Sequence, residues 1–417
     1  MAATTNPPPV MAASPGSAQS QTERDGGTST QGESYPAPEA SATPGAYPDP
    51  GPSRTPAAPA TLSLGTAVAQ IRLPFVGKAE PTATPSPTHT PTPLPTPTPT
   101  IDFAAVRASL QAQGQDLGHV KMGFHVSVGG NRQGLGEWMH RLNAAKVPFF
   151  LKSVGDAGPL LEAQQLAQQS GVPHVLVFRQ SGDEYDTPDY SLPPEEAARQ
   201  HWRLHTAVFP PELDRDRVWL ETINEVDKER SRWLARFALE TARLALAEGY
   251  RWAAFGWSSG EPELADWQTP EMLSFLRLAA ANPERLAIAL HEYSFLVEDI
   301  GHEYPFKVGR FQQLFQVTDL HGIPRPTVLV TEWGWTYRET PPPDQAMEDI
   351  AWAAEMYAPY PELKGAALWY LGPGFANIAD RAQQLIGPVT EFALGTYYAI
   401  PLPPERAPID PERFRPR

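Results

Sequence analysis

A closed (β/α)8 barrel behind a low-complexity N-terminal segment is the fold this chain predicts, and three observations predict it. Eight short β-branched or aromatic runs fall at 120–126, 148–154, 174–179, 218–224, 252–257, 286–291, 327–331 and 365–370. Helically spaced segments separate them; the clearest, at 231–248, lines up Trp233, Leu234, Phe237, Ala238, Ala242, Leu244 and Leu246 on one broad face. The runs are apolar nearly throughout, as strands are when both faces are covered. Strands alternating with helices imply parallel pairing through right-handed crossovers. Eight such units in about 280 residues suit closure better than an open sheet.

The elements in order divide the 417 residues into five parts. Residues 1–60 are rich in Ala, Pro, Ser, Thr and Gly and nearly lack large apolar side chains, so they cannot offset their ordering entropy and are expected to be disordered. Residues 61–80 form a short apolar island. Residues 81–113 begin as a Pro-Thr repeat that predicts a semi-rigid polyproline II linker, a composition that also suits O-glycosylated stalks. Residues 114–400 are the barrel, and 401–417 a C-terminal tail.

Spacers of this kind suit enzymes held at a surface, so an extracellular or cell-surface location with a tether through the linker is the expectation. The start, Met1-Ala2-Ala3-Thr4, shows neither the basic nor the apolar region of a signal peptide. No apolar stretch reaches the ~20 residues needed to span a membrane.

The formal charge of −15 argues against a nucleic-acid partner, because phosphate binding needs a basic face. With no cysteine, disulfides and thiolate–zinc sites are excluded. His291-Glu292 starts like a zinc-protease motif, but the fifth position is Phe295 rather than His. Gly372-Pro373-Gly374 has no strand–helix unit after it, so it is not a dinucleotide loop. Neither a metal nor a cofactor is expected.

Barrel active sites gather at the carboxyl ends of the strands. The run ends carry His125 and Ser127, Lys152, Arg179 and Gln180, Asn224 and Glu225, Trp257 and Ser258, His291 and Tyr293, Glu332 and Trp333, and Trp369 and Tyr370. Carboxylates, amides and aromatic rings together suit a sugar, whose C–H faces stack on rings while its hydroxyls seek polar partners. Two acids at strand ends, Glu225 and Glu332, are what hydrolysis of a glycosidic bond requires.

These residues resemble clan A of the glycoside hydrolases over most of 120–370. The Asn224-Glu225 pair with Glu221 is similar to the clan's strand-four pattern, and Thr331-Glu332-Trp333-Gly334 to its strand-seven pattern. His291-Glu292-Tyr293 is similar to its strand-six His-x-Tyr, and Trp369 to its strand-eight Trp. Val226 stands where the clan usually has Pro, and Lys152 where it often has Arg.

The resemblance implies a retaining O-glycoside hydrolase acting on a β-linked polysaccharide or oligosaccharide by double displacement. Glu225 would be the acid/base, its pKa raised by Glu332 and by burial, and Glu332 the nucleophile, held ionised by Tyr293 and its neighbours. Asn224 is expected to bond a ring hydroxyl, His291 and Tyr293 to orient Glu332, and Trp369 to stack on sugar. Trp257 and Trp333 fit either a sugar platform or the core, and His125 and Lys152 are polar candidates for substrate contact. Glu221 is expected deeper in the barrel, beside a cation. The alternative is a catalytically silent carbohydrate-binding barrel displayed at the cell surface; a purely structural display module is a third reading.

Overall fold

The computed structural model describes residues 101–401 and 407–415. The expectations for 1–60, for 61–80 and for the Pro/Thr repeat up to residue 100 lie outside the described residues. Among the described residues there are ten strands: β1 Gln115–Gly118, β2 Met122–Ser127, β3 Phe150–Val154, β4 Val175–Arg179, β5 Val218–Glu221, β6 Arg251–Trp257, β7 Leu286–Tyr293, β8 Thr327–Gly334, β9 Leu363–Leu368 and β10 Tyr398–Pro401. β2 to β9 close a barrel in sequence order, each pair parallel. Every predicted run contains one of these eight strands or most of one.

The ends differ for local reasons. β5 stops at Glu221 rather than reaching residue 224, because Asn224 N–H turns to the Asp186 carbonyl at 3.0 Å and Glu225 N–H to that of Gly256 at 2.8 Å. β7 and β8 run on to Tyr293 and Gly334 after a register shift at Leu290/His291, which sets His291 opposite Glu332.

The barrel floor is packed by size complementarity. Phe150 and Trp219 fill space left by Ala253, Ala287, Ala289 and Ala367, with Val177 and Leu329 completing the layer. Close approach of β2 to β3 requires Gly123, since a Cβ there would run into the Phe150 carbonyl. No helix among the described residues is long and apolar enough to cross a membrane.

Two boundaries are corrected. Phe103–Gln111, inside the stretch assigned to the linker, is a helix; Asp102 caps it by accepting from Ala104 and Ala105 N–H at 3.1 and 3.0 Å, and Phe103 and Leu110 are buried. Here an apolar face with a cap outweighs the composition of its surroundings. The tail is also partly structured. Pro401 closes β10, which pairs antiparallel with β1, and Phe414 is buried while its carbonyl accepts from Trp352 Nε1–H at 2.9 Å.

Glu292 points away from the barrel axis and ties β7 to the helix Phe311–Leu320. It accepts from Gly309 N–H at 2.8 Å, Phe311 N–H at 3.3 Å and the Tyr357 hydroxyl at 2.5 Å. Burial nevertheless pushes its carboxyl up to about 7 from 4.5. The folded protein therefore keeps a proton there that the unfolded chain releases, so stability falls as pH rises through that window. Denaturant titrations should show a loss of up to about 1.4 kcal/mol per pH unit from this group. The Glu292→Gln variant should flatten that slope, and an unchanged slope would refute the assignment.

Candidate active site

Side-chain alternation along a strand builds the site. Inward residues pass from apolar to charged toward the carboxyl ends: Phe150 then Lys152 on β3, Val177 then Arg179 on β4, Trp219 then Glu221 on β5, Ala289 then His291 on β7. On β8 the pairing with β9 shifts between Val330 and Trp333. That irregularity lets neighbouring Thr331 and Glu332 both reach the charged layer.

Glu332 is 7% exposed. The Tyr293 hydroxyl donates to its Oε2 at 2.8 Å and Lys152 Nζ to its Oε1 at 3.2 Å, while His125 Nδ1 stands 3.8 Å from Oε1. Burial alone would raise the Glu332 pKa; His291, Lys152 and Arg179 outweigh it and hold the carboxyl well below the usual range. His125 is itself kept neutral by burial and by Lys152, so it acts on Glu332 as a polar neighbour rather than a cation.

Lys152 is fully buried and forms a second ion pair with Glu221 Oε2 at 2.8 Å, while Thr331 Oγ1 donates to Glu221 Oε1 at 2.7 Å. Glu221 does lie deeper, beside a cation. Lys152 and His125, expected among substrate contacts, instead support the carboxylates from beneath.

Glu225 sits on the loop after β5 with φ of 46°, a left-handed backbone that is unusual for a side chain of its size and that re-aims the carboxylate over the barrel mouth. Gly256 beneath is obligatory: its φ is 53°, and a Cβ would lie 2.9 Å from the Ile223 carbonyl and 3.2 Å from Glu221 Oε1. The Glu225 side chain is 33% exposed, so the site opens to solvent at this acid.

His291, fully buried, stands between the two acids. Its Nδ1 lies 3.3 Å from Glu225 Oε1 and 3.6 Å from Glu332 Oε2. Because both contacts share one nitrogen, those carboxylate oxygens are at most about 6.9 Å apart. That limit on the two facing oxygens accommodates the ~5–5.5 Å carboxyl spacing of retaining enzymes.

The expected rise in the Glu225 pKa is not found. Burial and Glu332 push it up, but the His291 hydrogen bond and charge, with Arg179, bring it below the ordinary value. His291 thus meets both carboxylates, Glu225 as well as Glu332.

The remaining candidates divide. Asn224 is half-buried and its Oδ1 has no hydrogen-bond partner, as suits an atom waiting for a ligand donor. Tyr293 is buried with its hydroxyl on Glu332. Trp369, the expected platform, is only 8% exposed: Tyr370 stacks on it at 4.3 Å and Phe375 packs against it at 4.8 Å.

Trp257 and Trp333 belong to the outer core. Trp257 lies between Phe255 and Trp267, and Trp333 packs edge-on against Trp335 at 5.1 Å, past the register shift that brings Glu332 inward. Arg179, buried and felt by all three glutamates of the site, went unassigned. Its signal was a charge two residues after Val177 at a strand end.

No protein family and no curated protein matches this sequence. Solved structures match in shape. Cel5A (EG2) from Hypocrea jecorina is 14% identical over 61% of this chain and 89% of its own, with a TM-score of 0.35. The glycoside hydrolase family 30 subfamily 8 xylanase Xyn30A from Clostridium acetobutylicum is 11% identical over 66% and 73%, with a TM-score of 0.38. The YdjI aldolase from Escherichia coli K12 is 11% identical over 70% and 98%, at 0.31. Likeness at this level carries no argument about activity. The barrel stands on its own strand order and pairing.

Proposed function

We propose that this protein is a retaining β-glycoside hydrolase acting on a polysaccharide or oligosaccharide. The observation that carries the reading is the pair of carboxylates bridged by His291, within about 6.9 Å and differently supported. Glu332, ionised and held by Tyr293 and Lys152, would attack the anomeric carbon and form a glycosyl ester while the bond to the leaving oxygen breaks. Glu225 would give its proton to that oxygen, then take one from the water that hydrolyses the ester. Asn224 Oδ1 would accept from a sugar hydroxyl.

The test is incubation with a panel of 2-fluoro glycosyl probes followed by peptide mapping. Label on Glu332 supports the proposal; label elsewhere, or none across the panel, defeats it.

The pH profile is a second check. The competent free enzyme needs Glu332 ionised and Glu225 protonated, yet both acids titrate below the ordinary 4.5. So kcat/KM should be highest at acidic pH and fall about tenfold per unit above that value. A profile flat to neutrality would contradict the assigned acid. Location outside the cell, tethered through the Pro/Thr repeat, is proposed on composition alone; release of the barrel from intact cells by external protease would support it.

A further inference from the structure

Two exposed phenylalanines end an aromatic row that passes Glu332, and both sit on backbone where a glycine would be unstrained. Phe295 has φ of 60° and is 44% exposed; Phe375 has φ of 50° and is 45% exposed. Each continues an aromatic row. Phe295 stacks on Tyr293 at 6.1 Å and 13°, Tyr293 meets Trp369 at 6.0 Å and 82°, and Trp369 meets Phe375 at 4.8 Å and 73°. The inner two rings are buried beside Glu332, whereas the outer two face solvent.

Both conformations are held in place. Phe295 N–H donates to the Trp335 carbonyl at 2.8 Å, and Lys307 Nζ lies 4.8 Å from the ring centre. At the other end Phe375, Ala376 and Asn377 are all left-handed, with φ of 50°, 54° and 62°, in a turn closed by Asn377 N–H on the Gly374 carbonyl at 3.2 Å. Left-handed backbone is uncommon for bulky residues and persists only where its surroundings impose it. Here its result in both loops is the same: a partly exposed aromatic ring at the end of the row beside Glu332.

A single sugar gripped by Glu225 and Glu332 has no use for rings at both ends of such a row. Apolar C–H faces of further sugars do, because stacking them removes both surfaces from water.

We propose that Phe295 and Phe375 hold sugar units beyond the reacting one, at opposite ends of the site, so that the substrate is an extended glycan chain cut at internal bonds. This rests on the glycosidase reading, but its test does not require turnover.

The probes are β-linked gluco-, manno- and xylo-oligosaccharides from disaccharide to hexasaccharide, titrated calorimetrically into the full-length Glu332→Gln protein. Affinity for at least one series should rise on the order of tenfold with length. The rise should vanish when Phe295→Ala and Phe375→Ala are added, and persist in Phe295→Tyr with Phe375→Tyr, which keep the rings. Ala376→Gly, which relieves the left-handed turn without removing a ring, should keep it too. No gain with length in any series overturns the proposal, as does a gain that survives loss of both rings. Length-dependent binding without hydrolysis by the parent protein would sink the glycosidase reading alone.

Discussion

Glu332→Gln is expected to reduce turnover of any glycoside substrate by roughly 10⁴-fold or more, because an amide cannot form the glycosyl ester on which double displacement depends. The fold should survive. Gln keeps the volume, its carbonyl can accept from Tyr293 or Lys152, and Lys152 retains its partner Glu221 at 2.8 Å. Truncation to Glu332→Ala should be equally inactive yet open to rescue by azide or formate. The small anion would occupy the vacated side of the sugar and give a product of inverted configuration. Near-normal turnover in Glu332→Gln, with intact thermal unfolding, would remove this carboxylate from the mechanism.

Lys152→Met should produce the largest loss of stability, about 3–5 kcal/mol. The cation is fully buried between two acids, one of them fully buried Glu221. Methionine fills most of the space but leaves Glu221 charged and without its ion pair in the barrel interior. Replacing both partners, as Lys152→Met with Glu221→Gln, should restore most of the loss, since a buried pair stabilises far less than breaking it destabilises. Denaturant unfolding of the two single variants and the double variant measures that coupling. Additive losses would mean the pair does not act as a unit. The single variant should also raise the Glu332 pKa, because Lys152 is among the charges holding it down, so the acid limb of kcat/KM should move upward.

Much of the architecture could be read from local chemistry. β-branched and aromatic runs mark strands wherever they are bounded by helical spacing, and parallel closure follows from alternation alone. That Glu332 would stand near the end of one strand and Glu225 just past the end of another was readable for the same reason.

What escaped depended on parity and on neighbours. Trp257 and Trp333 look like sugar platforms, and strict alternation from inward Ala253 and Leu329 would point them inward, but the register shifts in β6 and β8 turn them into the outer core. Trp369 looks open until Tyr370 and Phe375 cover it. Phe103–Gln111 hid in a linker-like composition, although Asp102 was a legible cap. Lys152 looked like a substrate contact because burial is not written in a dipeptide. The direction of the Glu225 shift needed the position of His291, sixty-six residues away in sequence and 3.3 Å away in space.

The order of apolar and polar residues thus determined by itself that eight strands would form, in which sequence, and which acids would stand at their ends. Hydrophobic periodicity is a short-range property, and it is complete within each segment. Only the closed barrel decided which side chains share one layer, that a histidine separates the two acids, and that a lysine lies beneath them. Those outcomes depend on register, on bulges in β7 and β8, and on electrostatic sums over residues that meet only after folding.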